Sequence, residues 1–225
     1  EIKQYVRDQV TASYREAKEA KTEEDIINVI LDNTEQQLQH FRTTEIPRLA
    51  TAIEILRAAE HIWITGEFTS FDLATWMAKN LDQAAGIPAS YVHPSISETS
   101  ATLTRMKPGE AVLAFAVGIP GLDTGYAVRL AREKGLQTIC VTNAGTVLPA
   151  READVTVIVP TKSPISVLSS NLALLVIGTL WEALTKAEAV GDDFTAVHDA
   201  MSEILELRAQ TEEYELPEPE GEAEA

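Results

Sequence analysis

The run from Glu110 to Asn143 decides the fold: Ala111-Val-Leu-Ala-Phe-Ala-Val117, then Gly118-Ile-Pro-Gly121, then Tyr126-Ala-Val-Arg-Leu-Ala-Arg-Glu-Lys134, then Gly135, then Thr138-Ile-Cys-Val-Thr142. It reads as strand, turn, helix, strand. The strands are apolar without interruption, the mark of strands covered on both faces, and Gly135 supplies the left-handed residue that ends a helix. This is a βαβ unit, and such units bind small molecules at the carboxyl ends of their strands, where helix N-termini offer unpaired N–H groups to an anion. The turn from Gly118 to Thr124 is therefore the first candidate site. A second turn of the same kind lies upstream, where His61-Ile-Trp-Ile-Thr65 runs into Gly66-Glu-Phe-Thr-Ser70 and a helix with Leu73, Trp76, Met77 and Leu81 on one face. Ser70 is placed there as an N-cap or as a ligand hydroxyl.

Outward from these two turns, candidate strands fall at 62–65, 89–92, 111–117, 138–141 and 155–159, with helical segments between them. That alternation predicts an α/β fold, a five-stranded parallel sheet with helices on both faces, flavodoxin-like or Rossmann-like. A wholly helical segment precedes it. In that segment Thr22-Glu-Glu-Asp25 reads as a capping box before Ile26, Ile27, Ile30, Leu31, Thr34, Leu38 and Phe41 at helical spacing, and Pro47 restarts the chain ahead of Leu49, Ile53 and Leu56. After the last strand an apolar helix runs to about Lys186, and Asp192-Asp193 caps a final helix with Phe194, Val197, Met201, Ile204 and Leu205 inward. The expected organisation is a helical connector or dimerisation segment over 1–45, the α/β domain over 46–210 and an acidic, proline-bearing tail over 211–225.

Charge excludes some functions. With 18 basic against 35 acidic residues the formal net charge is −17, which argues against this chain gripping a nucleic-acid backbone or an anionic membrane by itself. The most apolar run, Leu172 to Trp181, falls short of the roughly 20 residues of a membrane span. The single cysteine, Cys140, is mid-strand and reads as a small buried hydrophobe in a reducing compartment. A cytoplasmic location is expected, with no cofactor and no metal. The chain opens on Glu1 rather than Met, as a piece of something longer would.

The residues Ala58-Ala-Glu-His-Ile-Trp-Ile-Thr-Gly66 with Ser70, Lys107-Pro-Gly-Glu-Ala-Val112, Ala131 to Thr142, and Leu148-Pro-Ala-Arg-Glu-Ala-Asp154 together resemble the sugar isomerase (SIS) domain in the version carried by RpiR/MurR-family transcription regulators. The lead-in from Tyr5 to Phe41 is similar to the connector that follows the helix-turn-helix domain in such regulators; that DNA-binding domain is not within this sequence. The resemblance implies a domain that binds a phosphosugar effector at the strand ends, assembles as a dimer or tetramer, and acts on DNA only through a domain outside this chain.

It also implies ligand residues. The family's Gly-x-Gly-x-Ser motif falls on Gly66, Glu67, Phe68, Thr69 and Ser70, with Phe68 in place of the middle glycine. Its Ser-x-Ser-Gly-x-Thr phosphate loop falls on Ala116, Val117, Gly118, Ile119, Pro120 and Gly121, where every hydroxyl is gone. At roughly 1.5–3 kcal/mol for a hydrogen bond to a charged group, two lost bonds weaken a phosphate by about two to four powers of ten. The expected ligand is therefore changed or lost, and less charged. Thr124, with Ser169 and Ser170 at the helix after the last strand, completes the ligand-binding set implied by the resemblance; no catalytic residue is assigned. Each hydroxyl among these has a plainer reading as a helix cap. Glu67, Asp72, Glu98 and Asp123 are candidates for the acid and base of an isomerase, or solvated carboxylates at helix starts. The competing functions are an effector sensor, a sugar-phosphate isomerase, and a ligand-free dimerisation module whose pocket Phe68 and Ile119 plug.

Overall fold

A computed structural model describes residues 22–119, 121–163, 169–185 and 201–207. Within them run α1 (Glu23–Thr44), α2 (Ile46–Ala58), β1 (Ile62–Gly66), α3 (Thr69–Lys79) continued by a π turn (Asn80–Ala84), β2 (Ala89–Tyr91), α4 (Ile96–Leu103), β3 (Ala111–Ala116), α5 (Leu122–Glu133), β4 (Gln137–Thr142), α6 (Leu148–Glu152), β5 (Val155–Ile158) and α7 (Asn171–Thr185). All five strands pair in parallel in the order β2-β1-β3-β4-β5, with Gly66 opposite Phe115 at the carboxyl ends of β1 and β3. This is the doubly wound order whose direction of winding reverses between β1 and β3, and folds of this kind bind their ligands in the crevice at that reversal.

Period-two alternation divides the core. On β3, Ala111, Leu113 and Phe115 join Leu49, Leu56, Met77, Val176 and Leu180 on one face, while Val112 and Ala114 join Trp63, Met106, Val128 and Leu136 on the other. Cys140 is fully buried in a small cluster with Ala116 and Ala150, and burial pushes its thiol pKa up.

The capping box at Thr22 is present: its hydroxyl accepts from Asp25 N–H at 3.1 Å and the Asp25 carboxylate accepts from Thr22 N–H at 3.0 Å. The end of α1 joins the body through Phe41, buried in the main core, and through Asn33 and Gln37, whose amides donate to the Lys162 carbonyl. Glu45, buried between α1 and α2, accepts from Ile158 N–H at 3.0 Å and from Arg48 at 2.8 Å. It ties the helical lead-in to the end of the edge strand, a role no sequence pattern announced.

Two expectations are corrected. Trp76 is 46% exposed instead of sharing the buried face of α3. At about 100° per residue the buried arc runs over Leu73, Met77, Ser70, Leu81, Ala74 and Ala78, which leaves Trp76 outside it. Met201, Ile204 and Leu205 are exposed as well, because among the described residues no element packs against that helical turn. The Asp192-Asp193 cap, Phe194, Val197, the 211–225 tail and the first part of the 1–45 segment lie outside the described residues. Among the described residues, no helix is long and apolar enough to cross a membrane.

Candidate ligand site

At the reversal of winding the two turns singled out in the sequence meet, one after β1 and one after β3. Gly66 ends β1 with no room for a side chain: a Cβ there would lie 2.7 Å from the Ser70 carbonyl oxygen and 3.1 Å from that of Phe115. Its own carbonyl accepts from the Tyr91 hydroxyl at 3.2 Å. Tyr91 stands edge-on to Phe71 at 5.4 Å, and its phenol pKa is pushed up to about 12 by burial, with the charges of Glu98 and Glu67 adding to the effect.

Phe68 is the N-cap residue of α3 and the only non-glycine at positive φ among the described residues, at φ 52°, ψ −124°. Its backbone adopts a conformation that favours glycine, and the residue stands 63% exposed. Ile119 is 71% exposed, so neither side chain plugs the crevice as the third sequence reading required.

The hydroxyls of α3 turn inward across the gap. Ser70 is not an N-cap; it is the second helical residue, and its Oγ accepts from Val117 N–H at 2.8 Å while lying 3.2 Å from the Val117 carbonyl oxygen. Thr69 Oγ1 donates to that same carbonyl at 2.8 Å. These two residues therefore stitch the loop after β1 to the loop after β3.

On the β3 side, Gly118 sits at φ 90°, open to glycine and strained for other residues, and its N–H donates to Asn143 Oδ1 at 3.0 Å. Ala116 has its side chain in the small core cluster and its carbonyl accepts from Thr142 at 2.8 Å. Gly121 is the N-cap of α5 and Thr124 lies in its first turn, buried. Ser169 and Ser170 stand at the start of α7, where Ser169 N–H donates to the Thr161 carbonyl and Ser169 Oγ accepts weakly from Asn171 N–H. Among the described residues, the hydrogen bonds shown for them are to nearby parts of the chain.

The residue that sequence reasoning undervalued is Glu67. Its carboxylate crosses from the β1 turn to the start of α5, where Oε2 accepts from Thr124 N–H at 3.0 Å and from Thr124 Oγ1 at 2.7 Å. A Cβ at Gly121 would lie 1.5 Å from Oε2 and 2.0 Å from Cδ, so the carboxylate rests directly against that glycine. An anion at a helix N-terminus is favoured by the free N–H groups and the dipole. The sequence signal was a charge inside the glycine turn; its partner lies 57 positions away. Asp72, Glu98 and Asp123 are exposed. His61 stands at the opposite, amino end of β1, its ring tilted against that of Trp63 with centroids 4.3 Å apart, and burial lowers its pKa.

No protein-family model matches the sequence, and no curated protein does. Solved structures do share the fold. The sugar isomerase domain of an RpiR transcription factor from Sphaerobacter thermophilus is 22% identical, with a TM-score of 0.68 over 77% of this chain and 97% of that one. Vibrio vulnificus NanR complexed with ManNAc-6P is 20% identical, with a TM-score of 0.62 over 81% of this chain and 69% of that one. A phosphoheptose isomerase from Francisella tularensis is 14% identical, with a TM-score of 0.61 over 73% and 98%. Regulators and isomerases thus share this architecture, and the five-stranded parallel sheet, its strand order and its likeness to these structures give this chain the sugar isomerase (SIS) domain fold.

Proposed function

We propose that the chain is a cytoplasmic, non-enzymatic sensing domain of a transcription regulator, which binds a carbohydrate derivative in the β1–β3 crevice and acts on DNA-binding heads outside this chain. The observation that carries the reading is the state of the side chains around that crevice. Moving a proton on a sugar takes a carboxylate or histidine poised at the reacting carbon. Here the Glu67 carboxylate between the two turns is bound by Thr124 through both a main-chain and a side-chain bond, and the hydroxyls of Thr69 and Ser70 hold Val117. Such an arrangement favours a fixed binding surface over proton transfer. A structural neighbour of the same fold, NanR, is complexed with ManNAc-6P, which supports a carbohydrate derivative as the class of ligand.

A sensor of this design works by a difference in affinity between two arrangements of a symmetric oligomer. The exposed stripe of Ile26, Ile27 and Leu31 on α1, together with Leu174 and Leu175 on α7, is where a second copy is expected to pack. The test is a calorimetric titration with a panel of sugars, amino sugars, sugar alcohols and their phosphates, run beside an NMR assay for aldose–ketose conversion of the same compounds. Saturable binding without conversion is expected. Turnover of any member would replace the sensor with an isomerase.

A further inference from the structure

From the seat of the Glu67 carboxylate we infer that this residue is a specificity determinant that excludes phosphate from the crevice, so that the ligand presents uncharged hydroxyls there. The inference rests on the binding role proposed for the crevice and concerns which chemistry it accepts.

Three observations converge. The α5 N-terminus, a helix of 12 residues, is the point at the reversal of winding where an external anion would find free N–H groups. Its Thr124 N–H and Thr124 hydroxyl are both engaged by Glu67 Oε2, at 3.0 and 2.7 Å. The space over Gly121 is filled by the same carboxylate, because an atom in the Cβ position would fall 1.5 Å from Oε2. One amide, one hydroxyl and the volume over Gly121 are therefore held by a group from the chain itself. A phosphate entering this place must displace Glu67 or lie beside it, and two negative charges a few ångströms apart at a partly desolvated site repel strongly.

A neutral sugar meets the opposite situation. Oε1 of Glu67 makes no hydrogen bond among the described residues, and a fixed, charged acceptor is a strong partner for a hydroxyl donor. The carboxylate that shuts out phosphate thus offers an anchor to a sugar or polyol hydroxyl. The arrangement also accounts for the missing hydroxyls at Ala116, Gly118 and Gly121, which have no anion to hold when the chain supplies its own.

The experiment titrates the wild-type chain, Glu67→Ala and Glu67→Gln with inorganic phosphate and with a hexose 6-phosphate at constant ionic strength, read by calorimetry and by the amide resonances of Gly121 and Thr124. Glu67→Ala empties the seat and frees both donors, and each recovered bond to a charged group is worth about one to two powers of ten. Saturable phosphate binding at least about 100-fold tighter than wild type is expected, with the Thr124 amide shifting. Glu67→Gln keeps the bulk and a carbonyl acceptor for Thr124 while dropping the charge, so it is expected to fold and to gain less than Glu67→Ala. Wild-type protein that binds phosphate with the same Thr124 shift overturns the inference, even if both variants fail to fold. So does a folded Glu67→Ala protein that gains nothing. Failure here stays distinct from failure of the sensor reading. A phosphosugar that saturates the wild type sinks the exclusion and leaves a sensor, whereas a panel without any wild-type ligand sinks the sensor even if Glu67→Ala gains phosphate.

Discussion

Replacing Phe68 by glycine and, separately, by alanine inverts the usual order of those two residues. At most helix starts and interiors alanine is the more stabilising, by about 0.4–1 kcal/mol, because it restricts the unfolded chain. At φ 52°, ψ −124° an L-residue carries backbone strain of order 1–3 kcal/mol, from which glycine is exempt. Both variants lose the same side chain, and at 63% exposure of the residue about a third of it is left to contribute about 1–2 kcal/mol of apolar contact. That loss cancels between them. The remaining difference is the strain less the entropy of glycine, about 1 kcal/mol in favour of Phe68→Gly. Against wild type, strain relief and lost contact nearly balance for Phe68→Gly, so it is expected within about 1 kcal/mol of the parent, while Phe68→Ala keeps the strain and loses the ring. Urea unfolding of the three proteins reads this directly through the midpoints, provided the slopes agree. If Phe68→Ala proves as stable as Phe68→Gly, the loop is not strained and the account of position 68 as a glycine site holding a phenylalanine is wrong.

Ser70→Ala leaves the buried Val117 N–H without its acceptor and is expected to cost about 1–3 kcal/mol in denaturant melts, against less than about 1 kcal/mol for Thr69→Ala at an exposed position. Thr65→Val is expected to stabilise by about 1 kcal/mol, since the Thr65 hydroxyl is buried without a hydrogen-bond partner and valine keeps its shape; destabilisation of that size would show that the hydroxyl is satisfied in solution. Tyr91 sets an alkaline dependence. Its folded pKa of about 12 lies above the ordinary value of 10, so in that window the native state holds a proton the unfolded chain has released, and stability falls as pH rises from 10 to 12. A Tyr91→Phe protein should show a flatter alkaline slope, and identical slopes would remove Tyr91 from the account.

What was readable in the chain was what local pattern controls. The five strands appear within a residue or two of their expected ends, because uninterrupted apolar runs such as Ala111 to Val117 have few other places to go in a doubly wound fold. Thr22 with Asp25 and Gly135 at φ 87° mark helix ends through chemistry confined to a few neighbouring residues. Trp76 was misplaced because a stripe of large residues was read without the small ones: Ala74 and Ala78 pack as tightly as Leu73 and shift the buried arc away from the indole. Met201, Ile204 and Leu205 have apolar periodicity, and periodicity names a face without naming what covers it.

The site divides along the same line. That the turns at Gly66 and Gly118 meet follows from strand order, since β1 and β3 are neighbours once the winding reverses between them. What the turns do to each other depends on groups 47 to 57 positions apart, as with Ser70 to Val117 and Glu67 to Thr124, and no local pattern encodes such a pair. Glu67 shows the consequence. In the sequence it is one acidic residue among 35 and most simply a solvated one. Only the placement of Gly121 beneath it, with no atom in the way, turns that charge into the internal occupant of an anion seat. The loop without hydroxyls at Ala116, Gly118 and Gly121 and the carboxylate of the opposite turn thus face each other across one helix start. A site that holds its own anion has no use for side chains that bind another, and its selectivity passes to groups that a neutral ligand can reach.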